Sequence, residues 1–196
     1  MFKIAVLAST NGTDLQAIID EIKEGKMEGI ELSVVIGNKE KAYALERAKE
    51  QGCEAVFVDP EGKTREEFDK EMAVILKEKE VDLICLIGYM RILSPWFVKE
   101  FEGKIINVHP AIDMKKYAGP GAMNLNVHKA VLENGEKESG CTIHYVTEGV
   151  DEGPIIAQAD VVVSPEDTPE SLKDKVQAQE KLLYPEVIRR FARGEV

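Results

Sequence analysis

The chain is short of positive charge. Its 196 residues carry 25 lysines and arginines against 36 aspartates and glutamates, a formal net charge of −11 at neutral pH. Such a surface argues against broad binding to nucleic acid or to anionic membranes, and it obliges any anionic ligand to find locally placed donors. Cysteine is scarce as well. Cys53, Cys85 and Cys141 are odd in number and widely spaced, without a CxxC pairing or a companion set of histidine ligands. That excludes a disulfide framework and points to ordinary thiols in a reducing cytosol. Long apolar runs are missing too. "MFKIAVLAS" offers five consecutive apolar residues, Ile4 to Ala8, too few for a signal peptide or a membrane span, and reads as a first strand. No internal repeat, low-complexity tract or flexible linker interrupts a length that suits one α/β domain.

What the chain does have is alternation. Apolar runs at 3–9, 30–37, 53–59, 81–90 and 104–109 are separated by charged amphipathic stretches, as in βαβ units around a parallel sheet. Helices are predicted over "DLQAIIDEIKEG", closed by Gly25, over "NKEKAYALERAKEQG", ending at Gly52, and from about Thr64 to Glu80. "VDLICLIGYM" is almost wholly apolar, as a central strand covered on both faces should be. After residue 109 the rhythm changes to an irregular piece, 110–126, rich in Gly, Pro, Met and Asn. "NVHKAVLENG" then reads as a helix, 140–146 and 153–163 as two more strands, and about Thr168 to Arg193 as a long final helix. The whole is an α/β, Rossmann-like open sheet, mostly parallel, with helices on both faces and an antiparallel addition near the C-terminus.

Open α/β sheets bind ligands beyond the carboxyl ends of their strands. "INVHPAID" puts Asn107 and His109 at such an end, two residues apart and so on one strand face, before Pro110 turns the chain away. An amide beside an imidazole suits a reaction in which charge develops on oxygen: Asn donates a hydrogen bond, and His donates a proton or steadies an oxyanion. A carboxylate to orient that His is offered by Asp151, in the Gly-flanked loop "EGVDEGPI". Asp160 and Asp167 are rivals, one within a strand and the other at a helix start; His128 and His144, in a helix and a strand interior, read as structural.

The series "VLASTNGTDLQAII", "GYMRILSP", "INVHPA", "HYVTEGVDEGPIIAQ" and "VQAQEKLLYP" resembles, over essentially the whole chain, the phosphoribosylglycinamide formyltransferase family. The resemblance implies a formyltransferase fold spanning 1–196 as a single domain, with a nucleotide-binding half to about residue 105 and a catalytic and folate-loop half beyond it. It implies transfer of a formyl group from 10-formyltetrahydrofolate, a co-substrate, to the amine of glycinamide ribonucleotide, in the cytoplasm and without a metal. It admits a homodimer. The family's catalytic Asn, His and Asp fall on Asn107, His109 and Asp151. Its folate pocket falls on Tyr89, Met90, Arg91, Ile92 and Leu93, on the loop Thr147, Glu148, Gly149, Val150 and Asp151, and on Arg65, with Asn107 shared. Its ribonucleotide site falls on Gly12, Thr13 and Asp14, whose backbone N–H groups open a helix, and on Gln177 and Glu180, three apart on one helix face.

Two departures stand out. Asp14 occupies a position where the family usually has Asn, bringing a carboxylate toward a phosphate. After the catalytic His, "HPAIDMKKYAGPGAM" replaces the usual Leu-Pro with Asp113 and Met114, so an anionic side chain is expected close to the active centre. These leave open a formyl-folate enzyme with another acceptor, an amino sugar or water, and a non-catalytic folate- or nucleotide-binding relative. The acidic balance runs against a tRNA acceptor.

Overall fold

The computed structural model describes residues 1–118 and 125–196; part of the irregular stretch, 119–124, lies outside the described residues. The described elements run β1 (Phe2–Ala8), α1 (Thr13–Lys23), β2 (Ile30–Gly37), α2 (Tyr43–Glu50), β3 (Ala55–Phe57), α3 (Arg65–Glu78), β4 (Leu83–Ile87), α4 (Pro95–Glu100), β5 (Ile105–His109), α5 (Leu125–Glu133), β6 (Glu138–Tyr145), β7 (Ile155–Val162) and α6 (Pro169–Ala192). The strands form one sheet in the order β3-β2-β1-β4-β5-β6-β7. The pairs among β1 to β5 are parallel, and β6 and β7 are antiparallel additions.

Side-chain alternation explains the layering. Ile4, Val6 and Ala8 of β1 belong to one buried cluster with Leu15 and Ile18 of α1, Leu45 of α2 and Val187 of α6. Ala5 and Leu7, pointing the other way, pack with Phe68 and Met72 of α3 and Phe97 of α4. The central strands are thus covered on both faces, which is why their sequences read as unbroken apolar runs. A smaller cluster, with Val127, Val131, Cys141, Leu172 and Val176, seats α5 against β6 and α6. Fully buried Tyr184 of α6 ties helix to sheet: its hydroxyl lies 3.1 Å from the Leu86 carbonyl and 3.3 Å from that of Ile106, on adjacent strands.

The elements depart from the sequence expectation at two points. The predicted helix over 38–52 begins only at Tyr43, because Asn38 is engaged by the Ser9 hydroxyl and Ala42 N–H closes a turn onto Lys39. The short α4 was not anticipated; its cap Ser94, which accepts from Phe97 N–H, and Pro95 in the first turn are its only local signals. Among the described residues no helix is long and apolar enough to cross a membrane.

Candidate active site

The strand order reverses direction between β1 and β4, and the loops leaving β1, β4 and β5 part there around a cavity of about 470 Å³. Two glycines allow these loops to nest. Gly12 has φ +65°, and a Cβ there would sit 2.8 Å from the Ala44 Cβ; Gly88 has φ +57°, and a Cβ would sit 2.2 Å from the Thr10 hydroxyl oxygen. Ser9 then pins three strand ends together, donating to Asn38 Oδ1 at 2.6 Å and accepting from Met90 N–H at 2.8 Å.

Asn107 and His109 both line this cavity, as does Asp151 from the β6–β7 loop. His109 is buried, with Nδ1 3.4 Å from Asp151 Oδ2, while its Nε2 has no partner among the described residues. Asp151 stands at φ +54°, a left-handed conformation that Asp tolerates better than most side chains. A second imidazole completes the group. His144, directly opposite Asn107 in the β5–β6 pairing, donates from Nδ1 to the Tyr145 carbonyl at 2.8 Å. Burial pushes its pKa down, so the ring is neutral and its Nε2 accepts from Asn107 Nδ2 at 3.2 Å. Asp151 Oδ1 lies 3.6 Å from that same Nε2, so the carboxylate stands between the two imidazoles, one oxygen near each. The amide of Asn107 is thereby fixed, with its second Nδ2 hydrogen and its Oδ1 left for a ligand.

Two loops form one wall. Residues 89–93, after β4, and 147–151, after β6, all line the cavity, and Ile92 and Val150 remain about half exposed although apolar. Asp69 of α3 secures the first loop by accepting from Ser94 N–H at 2.5 Å, and Arg91 stacks its guanidinium over the Phe68 ring at 4.5 Å. Burial pushes the Tyr89 phenol well above its ordinary range, so it stays protonated. Arg65, expected at the folate pocket, does not line the cavity. It sits exposed in the first turn of α3, where its charge acts on Asp69.

The other wall is the start of α1 with one face of α6. Gly12, the residue before α1, offers no side-chain cap, in contrast to Thr64, Ser94 and Thr168 before α3, α4 and α6, so among the described residues the first N–H groups of α1 have no side-chain cap. Arg47 steadies the turn by donating to the Asn11 carbonyl at 2.7 Å and to Gln16 Oε1 at 2.9 Å. Asp14, Gln177 and Glu180 all line the cavity here. Burial pushes Asp14 up to about 6 and Glu180 to about 8, and the charge of Asp14 adds to the rise at Glu180.

Asp113 does not reach this cavity. It is exposed, its carboxylate accepts from Lys116 N–H at 3.0 Å, capping a turn, and it lines a neighbouring pocket together with Asp151, so the expected anion stands beside the catalytic loop but outside the main cavity. The sequence reading also undervalued three lining residues: His144, His128 and Lys173. Lys173 had a visible signal, since 173, 177 and 180 follow the i, i+4, i+7 spacing of one helix face. His128 is buried and neutral, its pKa pushed down to about 4 by burial and by the Lys173 charge. Among the described residues no group of three or more His, Cys, Asp or Glu side chains is placed to hold a metal ion.

A doubly wound α/β sheet with imidazole, carboxamide and carboxylate groups gathered in a cavity at the carboxyl ends of its strands has the layout of an enzyme acting on small molecules. The chain belongs to the formyl transferase family, whose pattern matches residues 2–188. It is 43% identical over 197 residues to the phosphoribosylglycinamide formyltransferase of Haemophilus influenzae, covering 100% of this chain and 90% of that one. It is 41% identical over 195 residues to the trifunctional purine biosynthetic protein adenosine-3 of Drosophila melanogaster, covering 98% of this chain but only 14% of that longer protein. The crystal structure of glycinamide ribonucleotide transformylase 1 from Symbiobacterium toebii superposes with a TM-score of 0.91 at 42% identity, covering 99% of this chain and 89% of that one.

Proposed function

We propose that this chain transfers the formyl group of 10-formyltetrahydrofolate to the amine of glycinamide ribonucleotide in purine synthesis. The observation that carries the reading is the meeting of Asn107, His109 and Asp151 in one cavity, which is also lined by the loops 89–93 and 147–151 and by a helix N-terminus. In this reading the loops 89–93 and 147–151 sandwich the flat pterin, and Ile92 and Val150 lose their exposure to it. Arg65, outside the cavity, is left to the charged tail of the folate. The N–H groups at Gly12, Thr13 and Asp14 receive the phosphate, and Gln177 and Glu180 the ribose hydroxyls.

The chemistry follows from the groups present. The neutral amine attacks the formyl carbon, a C–N bond forms, and the carbonyl electron pair moves onto oxygen. Asn107 Nδ2–H and His109 Nε2–H steady that oxyanion. The bond to the folate nitrogen breaks once that nitrogen gains a proton from His109, and the proton lost by the amine restores the balance. Asp151 holds His109 by Nδ1, which keeps Nε2 available. This route uses no metal. Both ends of the cavity draw on residues before and after 105, which supports reading 1–196 as one domain. The unpaired Cys53, Cys85 and Cys141 are in keeping with the cytoplasm.

The test is formyl transfer from 10-formyltetrahydrofolate to glycinamide ribonucleotide, run beside an amino sugar and beside no acceptor. Tetrahydrofolate release that depends on the ribonucleotide is the result expected. Equal or faster release with the amino sugar, or with water alone, overturns this acceptor.

A further inference from the structure

We propose that Asp14 and Glu180, both buried at the acceptor end of the cavity, together keep one proton on the pair, and that Asp14 thereby sets the pH range over which an anionic acceptor is bound. Both side chains line the cavity, and they are 4% and 6% exposed. Among the described residues neither makes a hydrogen bond or an ion pair, and Asp14 Oδ1 is buried there without a hydrogen-bond partner. Two ionised carboxylates left unpaired in such a place are costly, even with one of them at the positive end of α1. Keeping one proton removes most of that cost and leaves a unit with both a donor and acceptors.

The surroundings are consistent with one proton rather than two. From α6, Lys173 and Lys181 act on the pair as cations and favour ionisation of Glu180; Lys181 does the same for Asp14. From α5, His128 is neutral. Tyr184 of α6, Cys85 of β4 and Cys141 of β6 are all pushed upward and stay protonated, while Asp160 of β7 acts on Cys141. With one proton, the two carboxyls and two lysines sum to one positive charge; with none, they sum to zero. A phosphate monoester dianion favours the first state, so acceptor binding takes up a proton wherever the free pair has lost it. The identity of the acceptor rests on the reading above, but the shared proton does not.

The experiment therefore has a ligand-free arm. In the intact enzyme, carbon-13 NMR of the Asp and Glu carboxyls, assigned with Asp14→Asn and Glu180→Gln, is expected to show two separated titration steps, the upper one near neutrality or above. In Asp14→Asn, Glu180 should titrate at lower pH because the neighbouring charge is gone. If both carboxyls of the wild type titrate below pH 5, the proposal is overturned whatever the enzyme binds.

The second arm is calorimetric titration with ribose 5-phosphate, which lacks the amine, in buffers of different ionisation enthalpy between pH 7.5 and 9. Wild-type affinity is expected to fall about tenfold per pH unit above the upper step, with close to one proton taken up, and Asp14→Asn to show neither. Equal proton uptake by wild type and Asp14→Asn overturns the assignment to this pair. Failure of ribose 5-phosphate to bind at any pH, with the two NMR steps present, counts against the ribonucleotide reading and against the role of Asp14 in binding, but leaves the shared proton standing.

Discussion

Asn107 Nδ2 lies 3.2 Å from His144 Nε2, across the β5–β6 pairing, and His144 is itself locked by its Nδ1 bond to the Tyr145 carbonyl. A strand histidine therefore decides which way the carboxamide faces. His144→Ala is expected to free the amide and lower kcat by roughly tenfold or more, while the Kd for folate changes little. Because burial holds His144 below its ordinary pKa, Nε2 stays an acceptor through neutral pH and loses that role only in acid. The wild-type acid limb should accordingly include this protonation, and it should be missing in His144→Ala. A mutant with a raised KM and unchanged kcat would show that His144 shapes the pocket without orienting Asn107.

Direct removal of the reacting groups should cost more. His109→Ala and Asn107→Ala are each expected to lower kcat by roughly a hundredfold or more with folate binding nearly intact, measured by single-turnover rates beside equilibrium binding. Asp151→Asn keeps the left-handed backbone accessible and removes the charge beside His109 Nδ1 and His144 Nε2, so its loss should appear in kcat and in the pH profile rather than in folding. Near-wild-type turnover in any of the three removes that residue from the mechanism.

Lys173 brings a positive charge to the acceptor end and makes no ion pair among the described residues. Lys173→Met should weaken ribonucleotide binding by about tenfold at low salt and by less at high salt, since the lost interaction is mainly charge. The same substitution removes one of the two causes that depress His128, so the His128 pKa should rise from about 4 toward its ordinary value. Proton NMR of the imidazole reads this directly, and an unmoved His128 would mean that burial alone keeps it neutral.

Tyr184 offers a test of the scaffold alone. Its hydroxyl proton is shared between the carbonyls of Leu86 and Ile106, and Tyr184→Phe leaves both short of a donor inside the core. The expected loss is about 1–2 kcal/mol, and each kcal/mol corresponds to a Tm drop of about 2–4 °C in a protein this size. Thermal unfolding followed by circular dichroism measures it, and an unchanged Tm would show that the two carbonyls are satisfied by each strand's own partners.

The layered fold was legible because the central strands are buried on both faces, so 81–90 and 104–109 stand out as apolar runs between charged helices. Residues 38–42 misled because their composition suits a helix, whereas the turn depends on a distant contact from Ser9. The site was legible where spacing within one element carries it. Asn107 and His109 lie two apart on a strand, and Gln177 and Glu180 three apart on a helix. His144 was not, because its meaning comes from the register that sets it opposite Asn107, a pairing across 37 residues of chain. Asp113 was legible only in part: it lies beside Asp151 as its place in the sequence suggests, but its carboxylate caps a local turn outside the main cavity.

The last prediction separates two opposite pH effects on stability. His128 is depressed to about 4 when folded, against an ordinary value of about 6.5, so the unfolded chain binds more protons between those values. Its contribution is present above about pH 6.5 and is lost as pH falls toward 4. Asp14 and Glu180 are raised, so there the folded protein holds more protons, and their contribution is present in acid and lost as pH climbs through neutrality. In urea unfolding, His128→Gln should therefore flatten the acid side of the stability curve, by up to about 3 kcal/mol between pH 6.5 and 4. Asp14→Asn should instead stabilise the protein at pH 8 more than at pH 5. The two slopes have opposite signs, which no general loosening of the fold can produce. If both variants change stability by the same amount at every pH, neither buried group titrates as its surroundings dictate.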